Sequence, residues 1–342
     1  MPVAMDSNFF IVALRKTVFE IQPQNTKLFD KYFRPNLSFA DSDKITFDIY
    51  EGSPGLLRNL SVFEPAQIID KGNRKAVTVI APRLAPKTFF AAAEFNRVAT
   101  IASQFGPRKA RETFQQKFER ELQSSIMATI EMTLEFWASR ALKGKIYDAD
   151  LSTVLVDYNM PSSHLPTRDW TNASSNPIED IREWKALIEK DVKAPVVGYE
   201  AICGKKAMNA LLKNETVLKL LQYQRGARMA EQGDVERLVG VTIEEYNATF
   251  TDNDGNSVPY IPENAFVLIA QLKTNDVFDC PYAPVIDLKA KGGVGSNQPM
   301  NDFIFRKVWE EEDPSGVWVK LETRPLPVVR RPAAIVYATV TS

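Results

Sequence analysis

A single histidine, His164, occurs among 342 residues, together with only two cysteines, Cys203 and Cys280. One histidine excludes a paired-histidine metal site, and no Cys-x-x-Cys or His-x-Glu spacing is present to build another kind. Two cysteines this far apart in sequence form no disulfide framework and are read as buried free thiols in a reducing cytoplasm. A dominant sign of charge is also missing. Lys and Arg total 42 against 43 Asp and Glu, a net charge of −1. That balance supplies no bulk field for gripping nucleic acid or an anionic membrane. A bilayer span needs about 20 predominantly apolar residues, and the one candidate stretch is interrupted by Glu131 and Glu135. The short apolar run Phe9–Leu14 follows Asp6 and no basic residue, so it makes a poor secretory signal and is read as part of an arm that packs on something.

Glycine and proline are absent between Pro107 and Gly144, and that absence is informative. It predicts one helix from Arg108 to Lys143, 36 residues, or roughly 54 Å at about 1.5 Å per residue. Globular helices average about 11–12 residues. Apolar residues at Phe114, Phe118, Leu122, Ile126, Ile130, Leu134, Trp137 and Ala141 step mostly by four, so the stripe winds around the rod. This is neither the alternating three-four step of a coiled coil nor a single flat contact face. Eight charged residues lie in Arg108–Ser125 and three in Ile126–Leu142, namely Glu131, Glu135 and Arg140. The first half is expected to be partly solvated and the second buried in the chain's own core.

Around this rod the pattern is mixed α and β, with no internal repeat. Residues 1–40 read as an arm without a strong core pattern. Ile45, Phe47 and Ile49 alternate with polar positions, and Val77–Ile80 forms a second strand signal, so 42–90 reads as a long two-stranded excursion. It has few residues for a core of its own and needs outside support, most simply a neighbouring subunit. Ile146–Tyr158 is expected as a strand and 159–177 as a polar linker. Asn176-Pro177 opens a helix whose apolar face is Ile178, Ile181, Trp184, Leu187 and Ile188. Further on, strands are expected at Val196–Cys203, Val239–Thr251, Ala265–Ala270, Val317–Leu321 and Ala333–Val340. Helices are expected at Lys205–Leu212 and Glu215–Gln224, and a turn at Asp252–Asn256.

Candidate chemistry is sparse. His164 falls in the polar linker and reads as an exposed loop histidine with no positioned nucleophile. Aligning Gly255 with the invariant glycine of a calcium loop puts Phe250 and Ile261 where carboxylates are required, so Asp252-Asn253-Asp254-Gly255 is a hairpin tip. Gly292-Gly293-Val294-Gly295-Ser296 lacks the Gly-Lys-Ser/Thr of a phosphate loop and reads as plain loop. Asp148, Asp150 and Asp157 read as solvated carboxylates without a partner that would tune them. Asn172-Ala173-Ser174 fits a glycosylation sequon, which has no meaning without secretion. No catalytic, cofactor-binding or metal-binding residue is assigned. A rod, a protruding hairpin and an arm without a convergent polar site describe an assembly protein.

Several stretches then carry a family likeness, in the same order from about residue 40 onward. They are Ser53-Pro54-Gly55-Leu56 in the hairpin, Leu142–Tyr147 with Asp148 at the helix exit, Val154–Met160, Asp169-Trp170, Pro177–Trp184, Arg225-Gly226, Gly255–Ala270 with Tyr260–Asn264, and Arg324-Pro325-Leu326-Pro327 with the last strand. Collinearity gives them specificity, and the chain resembles the major capsid protein family of lambda-like tailed phages. The resemblance implies an α+β, Hong Kong 97-type capsid fold with a long spine helix, an extended β-hairpin loop, and peripheral and axial domains. It implies an N-terminal arm at 1–40, the extended hairpin loop at 41–92, a peripheral domain with the spine at 93–150, a mainly axial domain at 151–310, and strands returning to the peripheral domain at 311–342. The implied function is a non-enzymatic major head protein that self-assembles into an icosahedral shell around phage double-stranded DNA. An encapsulin-like compartment shell is the alternative within the same fold, and a soluble α/β enzyme is the rival outside it. Implied partners are its own copies as hexamers and pentamers, a scaffold or maturation protease, a portal and a decoration protein, with DNA enclosed but not specifically bound and no membrane. The implied location is the virion, after assembly in the host bacterial cytoplasm. Some relatives crosslink through a loop lysine. Lys71 and Lys75 lie near the expected loop tip, but no partner asparagine is identified, so that chemistry is not carried over.

Overall fold

The computed structural model describes residues 26–51, 73–93, 120–172, 174–219, 237–252, 254–285, 287 and 303–341. Strands β1 (Leu37–Phe39), β2 (Lys44–Glu51), β3 (Asn73–Ile80) and β4 (Lys87–Ala91) come first. A π-helical turn at Gln123–Met127 then runs into helix α1 (Ala128–Ala141). Next are β5 (Lys145–Tyr147), β6 (Val154–Asp157), helix α2 (Pro177–Val192), β7 (Val196–Cys203) and helix α3 (Lys205–Lys213). The remaining strands are β8 (Arg237–Leu238), β9 (Val241–Glu245), β10 (Thr249–Thr251), β11 (Ser257–Pro259), β12 (Ala265–Leu272), β13 (Phe278–Tyr282), β14 (Phe305–Glu311), β15 (Gly316–Glu322), β16 (Val328–Val329) and β17 (Ile335–Thr339).

The core is built on a five-stranded sheet in the order β17-β12-β7-β9-β8. β12 is antiparallel to both β17 and β7, whereas β7 and β9 run parallel. β12 is buried from Ala265 through Ala270 without alternation, as a strand covered on both faces must be. Helix α2 covers one face. Asn176 caps it by accepting from the Glu179 N–H, and Ile178, Ile181, Trp184 and Ile188 face inward. Trp184 and Trp170 both pack against Phe266 of β12, with ring centres 5.9 and 5.1 Å away. Fully burying a large apolar side chain contributes about 2–3 kcal/mol, so this aromatic trio fixes the helix to the sheet.

The second half of the expected rod matches the structure. Ile126, Ile130, Leu134, Trp137, Ala138, Ala141 and Leu142 are buried. Of the first half, residues 108–119 lie outside the described residues. In the remainder Arg120, Ser124 and Ser125 are exposed while Leu122 is buried. The helix ends at Ala141, before the expected Lys143, and the turn after it closes at Gly144, where φ is +93° and a Cβ would lie 2.6 Å from the Met160 Cβ. Only glycine combines that backbone with that approach.

Some expectations are corrected. Ile146–Tyr158 is not one strand but the β5–β6 pair, divided by a turn that Asp150 organises through the Ser152 and Thr153 N–H groups. Val239–Thr251 likewise divides into β9 and β10, because the segment between them turns Tyr246 inward to a buried position. Of the arm, 1–25 with the run Phe9–Leu14 lie outside the described residues, but 26–40 do join the core: Leu28, Phe29, Tyr32 and Phe33 are buried, the last two against Phe278. The hairpin base is supported by the chain itself. β2 and β3 pair from Lys44↔Ile80 to Glu51↔Asn73, and Ile45, Phe47 and Ile49 bury their face. The Phe47 ring meets Tyr158 at 6.0 Å, and the Tyr50 N–H donates to the Arg330 carbonyl at 2.9 Å. Only the tip, 52–72 with Lys71, lies outside the described residues. Lys75 sits on β3, opposite Ile49.

Candidate functional site

Buried charge in this chain gathers where segments distant in sequence meet. Glu135 on α1 is 3 % exposed. One carboxylate oxygen accepts the Leu28 N–H at 2.8 Å and the other the Phe29 N–H at 2.9 Å. These are the free donors at the start of the helical turn Phe29–Phe33, which has no cap of its own. The Tyr246 hydroxyl donates to the same carboxylate, and burial followed by this contact pushes the tyrosine's pKa well up. One side chain therefore joins the arm, the spine and the loop after β9. Around it, Lys27 reaches Glu244 at 2.7 Å and Lys31 reaches Glu200 at 2.8 Å. Burial pushes the Glu244 carboxyl up, but the two lysines outweigh it and hold the carboxyl below its ordinary value.

A second knot ties the end of β15 to the strand-free segment after β3. Glu322 is 2 % exposed and holds Arg83 through two hydrogen bonds of 2.6 and 3.0 Å, with Lys320 on the same carboxylate. Arg324 donates to the carbonyls of Pro284 and Ala81. Burial raises the Glu322 pKa, but the hydrogen bonds from Arg83 and Lys320 lower it further, to a net value below the ordinary one. A carboxylate with a depressed folded-state pKa stabilises above the unfolded value and loses that contribution as pH falls through the folded one. Glu322→Gln is therefore expected to lower stability at neutral pH and to flatten its decline in acid. Urea midpoints over an acidic pH series check this; an unchanged acid limb would remove Glu322 as a source of it.

The sequence candidates fare differently. His164 is corrected outright: it is fully buried, in a short helical turn at Ser162–His164, and bonded through both ring nitrogens. Asp148 and Asp150 are exposed, as expected, but serve their own turn. The Thr153 hydroxyl and the Thr153 and Ser152 N–H groups hold the Asp150 carboxyl far below the usual range. Asp157 pairs with Lys145 at 3.0 Å. The Asp252 carboxylate accepts from the N–H groups of Asn256 and Asp254, the internal bonding of a hairpin tip. Gly292–Ser296, Arg225-Gly226 and Ala173 lie outside the described residues. Cys203 and Cys280 are buried, and burial pushes the Cys203 thiol up to about 12. Among the described residues no group of His, Cys, Asp or Glu is placed to hold a metal, and no helix is long and apolar enough to cross a membrane. What the structure gathers is a set of fasteners between chain segments. Sequence reading noticed Glu135 only as an interruption of an apolar stretch, although a lone carboxylate there is itself the mark of a buried acceptor.

A solved structure shares this fold. A protein assigned to the capsid of a prophage in E. coli CFT073 superposes with a TM-score of 0.59 at 16% identity, over 98% of this chain and 99% of that one. The mature capsid of bacteriophage PhiM1 gives 0.49 at 14% identity, over 95% and 91%. A virus-like particle from Pyrococcus furiosus gives 0.40 at 13% identity, over 97% and 100%. No curated protein matches the chain in sequence. The fold is the Hong Kong 97-type capsid fold, and a family model spans residues 11–340: the chain belongs to the phage major capsid protein E family.

Proposed function

We propose that this chain is the shell-forming subunit of a tailed-phage head, assembling with its own copies as hexamers and pentamers into an icosahedral container for double-stranded DNA. The observation that carries this is the family match across residues 11–340. The work is mechanical. Many modest contacts between identical subunits add through multivalency, so no single one has to be strong. Ile80 on the hairpin base is 62% exposed and Val197 on β7 is 71% exposed, apolar surface of the kind a neighbouring copy would cover. Residues 41–92 are assigned to the loop that crosses a neighbour, 93–150 to the peripheral domain and 151–310 to a mainly axial one, with 1–40 as an arm and 311–342 returning to the periphery. The subunit acts without catalysis. It is assembled in the host cytoplasm with a scaffold or protease, a portal and a decoration protein, and encloses DNA without reading it.

Co-expression with the neighbouring head genes, followed by negative-stain electron microscopy, tests the proposal. Closed shells are expected. Only monomers or small oligomers would refute it, and shells filled with an enzyme in place of DNA would reassign the chain to a cargo compartment.

A further inference from the structure

His164 is the chain's only histidine, and its ring lies between two acceptors. Nδ1 is 2.8 Å from the Ile335 carbonyl oxygen on β17, and Nε2 is 3.0 Å from Oδ2 of Asp191 on α2. A carbonyl accepts and does not donate, and so does an ionised carboxylate. A neutral imidazole has one N–H and satisfies one of them. Both contacts are hydrogen bonds only when the ring carries two protons. Asp191 keeps a side-chain exposure of 32%, so water reaches its carboxylate. It also stands in the last turn of α2, where the helix dipole favours a cation beside it.

We infer that His164 is held as an imidazolium and acts as a pH-sensitive clip, fastening the linker at 159–170 to α2 and β17. Loss of one proton puts a lone pair against an acceptor on a ring that is itself fully buried. An unsatisfied buried group of this kind is costly, so the ring has to leave. Beyond His164 the linker covers the outer edge of the central sheet. Thr167 bridges Thr339, the Arg168 N–H donates to the Thr339 carbonyl, and the Thr339 N–H donates to the Pro166 carbonyl at 3.0 Å. An uncovered edge strand is a template for pairing with other chains.

The far end of the cover has a separate fastening. The Trp170 indole N–H and Arg168 both donate to Asp180 in the first turn of α2, at 2.8 and 3.1 Å. Indole and guanidinium keep their protons throughout the range in which imidazole titrates. Release therefore starts at His164 and stops at Trp170. Neighbouring charged groups are engaged elsewhere. On α2, Glu189 takes the Tyr199 hydroxyl and Lys185 the Val239 carbonyl. On β17, Tyr337 faces Lys143, and ahead of that strand Arg331 pairs with Asp276. Among the described residues, Asp191 is the charged group in ion-pair contact with the ring.

The test uses the full chain with nitrogen-15 histidine, where one residue gives the whole signal. Ring-nitrogen shifts and amide-exchange protection are followed together from about pH 6 to about pH 9, the span in which imidazoles commonly change charge. Two protonated nitrogens at the acid end are expected, then loss of one proton. Protection at the Leu165 and Thr339 amides should fall at least tenfold at the same pH, while the Trp170 amide holds. Asp191→Asn is the second arm. Its amide can donate to a neutral ring, so the folded variant should lose the step in protection. A ring with one protonated nitrogen throughout, protection that ignores the ring's titration, or an Asp191→Asn variant that keeps the step would each overturn the inference.

Discussion

Glu135→Ala is expected to destabilise the chain by about 4 kcal/mol, since each buried donor left without a partner costs about 1–3 kcal/mol and three lose theirs. Two are the backbone N–H groups of Leu28 and Phe29, and the third is the Tyr246 hydroxyl. The loss should not be evenly spread. The arm from Thr26 to Asn36 is fastened at Glu135 and by Lys27 and Lys31 reaching the sheet, so it should loosen first. Lys31 has a substantially exposed side chain, and trypsin should cut there sooner in the variant. Tyr246→Phe removes a single donor together with its bond and serves as the control, with an expected cost of about 1 kcal/mol. Urea unfolding of both variants decides the matter. A Glu135→Ala loss no larger than that of Tyr246→Phe would mean that the carboxylate does not hold the arm.

Gly204→Ala comes next in expected size. Gly204 caps the start of α3 at φ −78°, so backbone strain is not the issue. The obstacle is space. A Cβ there would lie 2.5 Å from the Glu263 Cα and 2.7 Å from its carbonyl carbon. Those atoms are backbone, and they are pinned by the Gly204 N–H on the Ala265 carbonyl and the Ala207 N–H on the Glu263 carbonyl. Overpacking against side chains costs about 1–3 kcal/mol, and here no side chain can swing away, so about 3 kcal/mol or more is expected. Gly198, on the preceding strand β7, is the internal comparison. A Cβ there meets the Gln271 side-chain oxygen at 3.2 Å, the movable end of a long side chain. Gly198→Ala should stay within about 1 kcal/mol of the parent. Thermal melting of the two variants checks the contrast, and equal effects would show that the turn at Pro262–Glu263 yields.

These positions show which parts of the molecule could be read in advance. Period-two alternation at Ile45, Phe47 and Ile49 gave a strand, and Asn176-Pro177 gave a capped helix, because both signals are local. The collinear motifs brought in the fold. The partners of Glu135 and His164 were out of reach, since Glu135 bonds Leu28 across 107 positions and His164 bonds Ile335 across 171. No local periodicity encodes such a meeting. His164 was misjudged because its neighbours are polar: the linker is polar in composition, yet it lies along a sheet edge and carries His164 and Trp170 inward. Gly204 looked like any glycine, because its need for bareness comes from residues 262–263.

The strand order of the central sheet also bears on how the chain is made. β12 sits between β7, which precedes it, and β17, which a ribosome delivers last of the described strands. β1, near the start, pairs with β13, and the Tyr158 hydroxyl waits for the Pro327 carbonyl. Contacts of such long sequence separation form slowly. During synthesis the side of β12 that receives β17 stays open, and the cover at 166–170 has nothing to lie on. A nascent or prematurely terminated chain thus presents a sticky, unfinished edge for chaperones to hold, and only a translated β17 turns it into a subunit fit to join others.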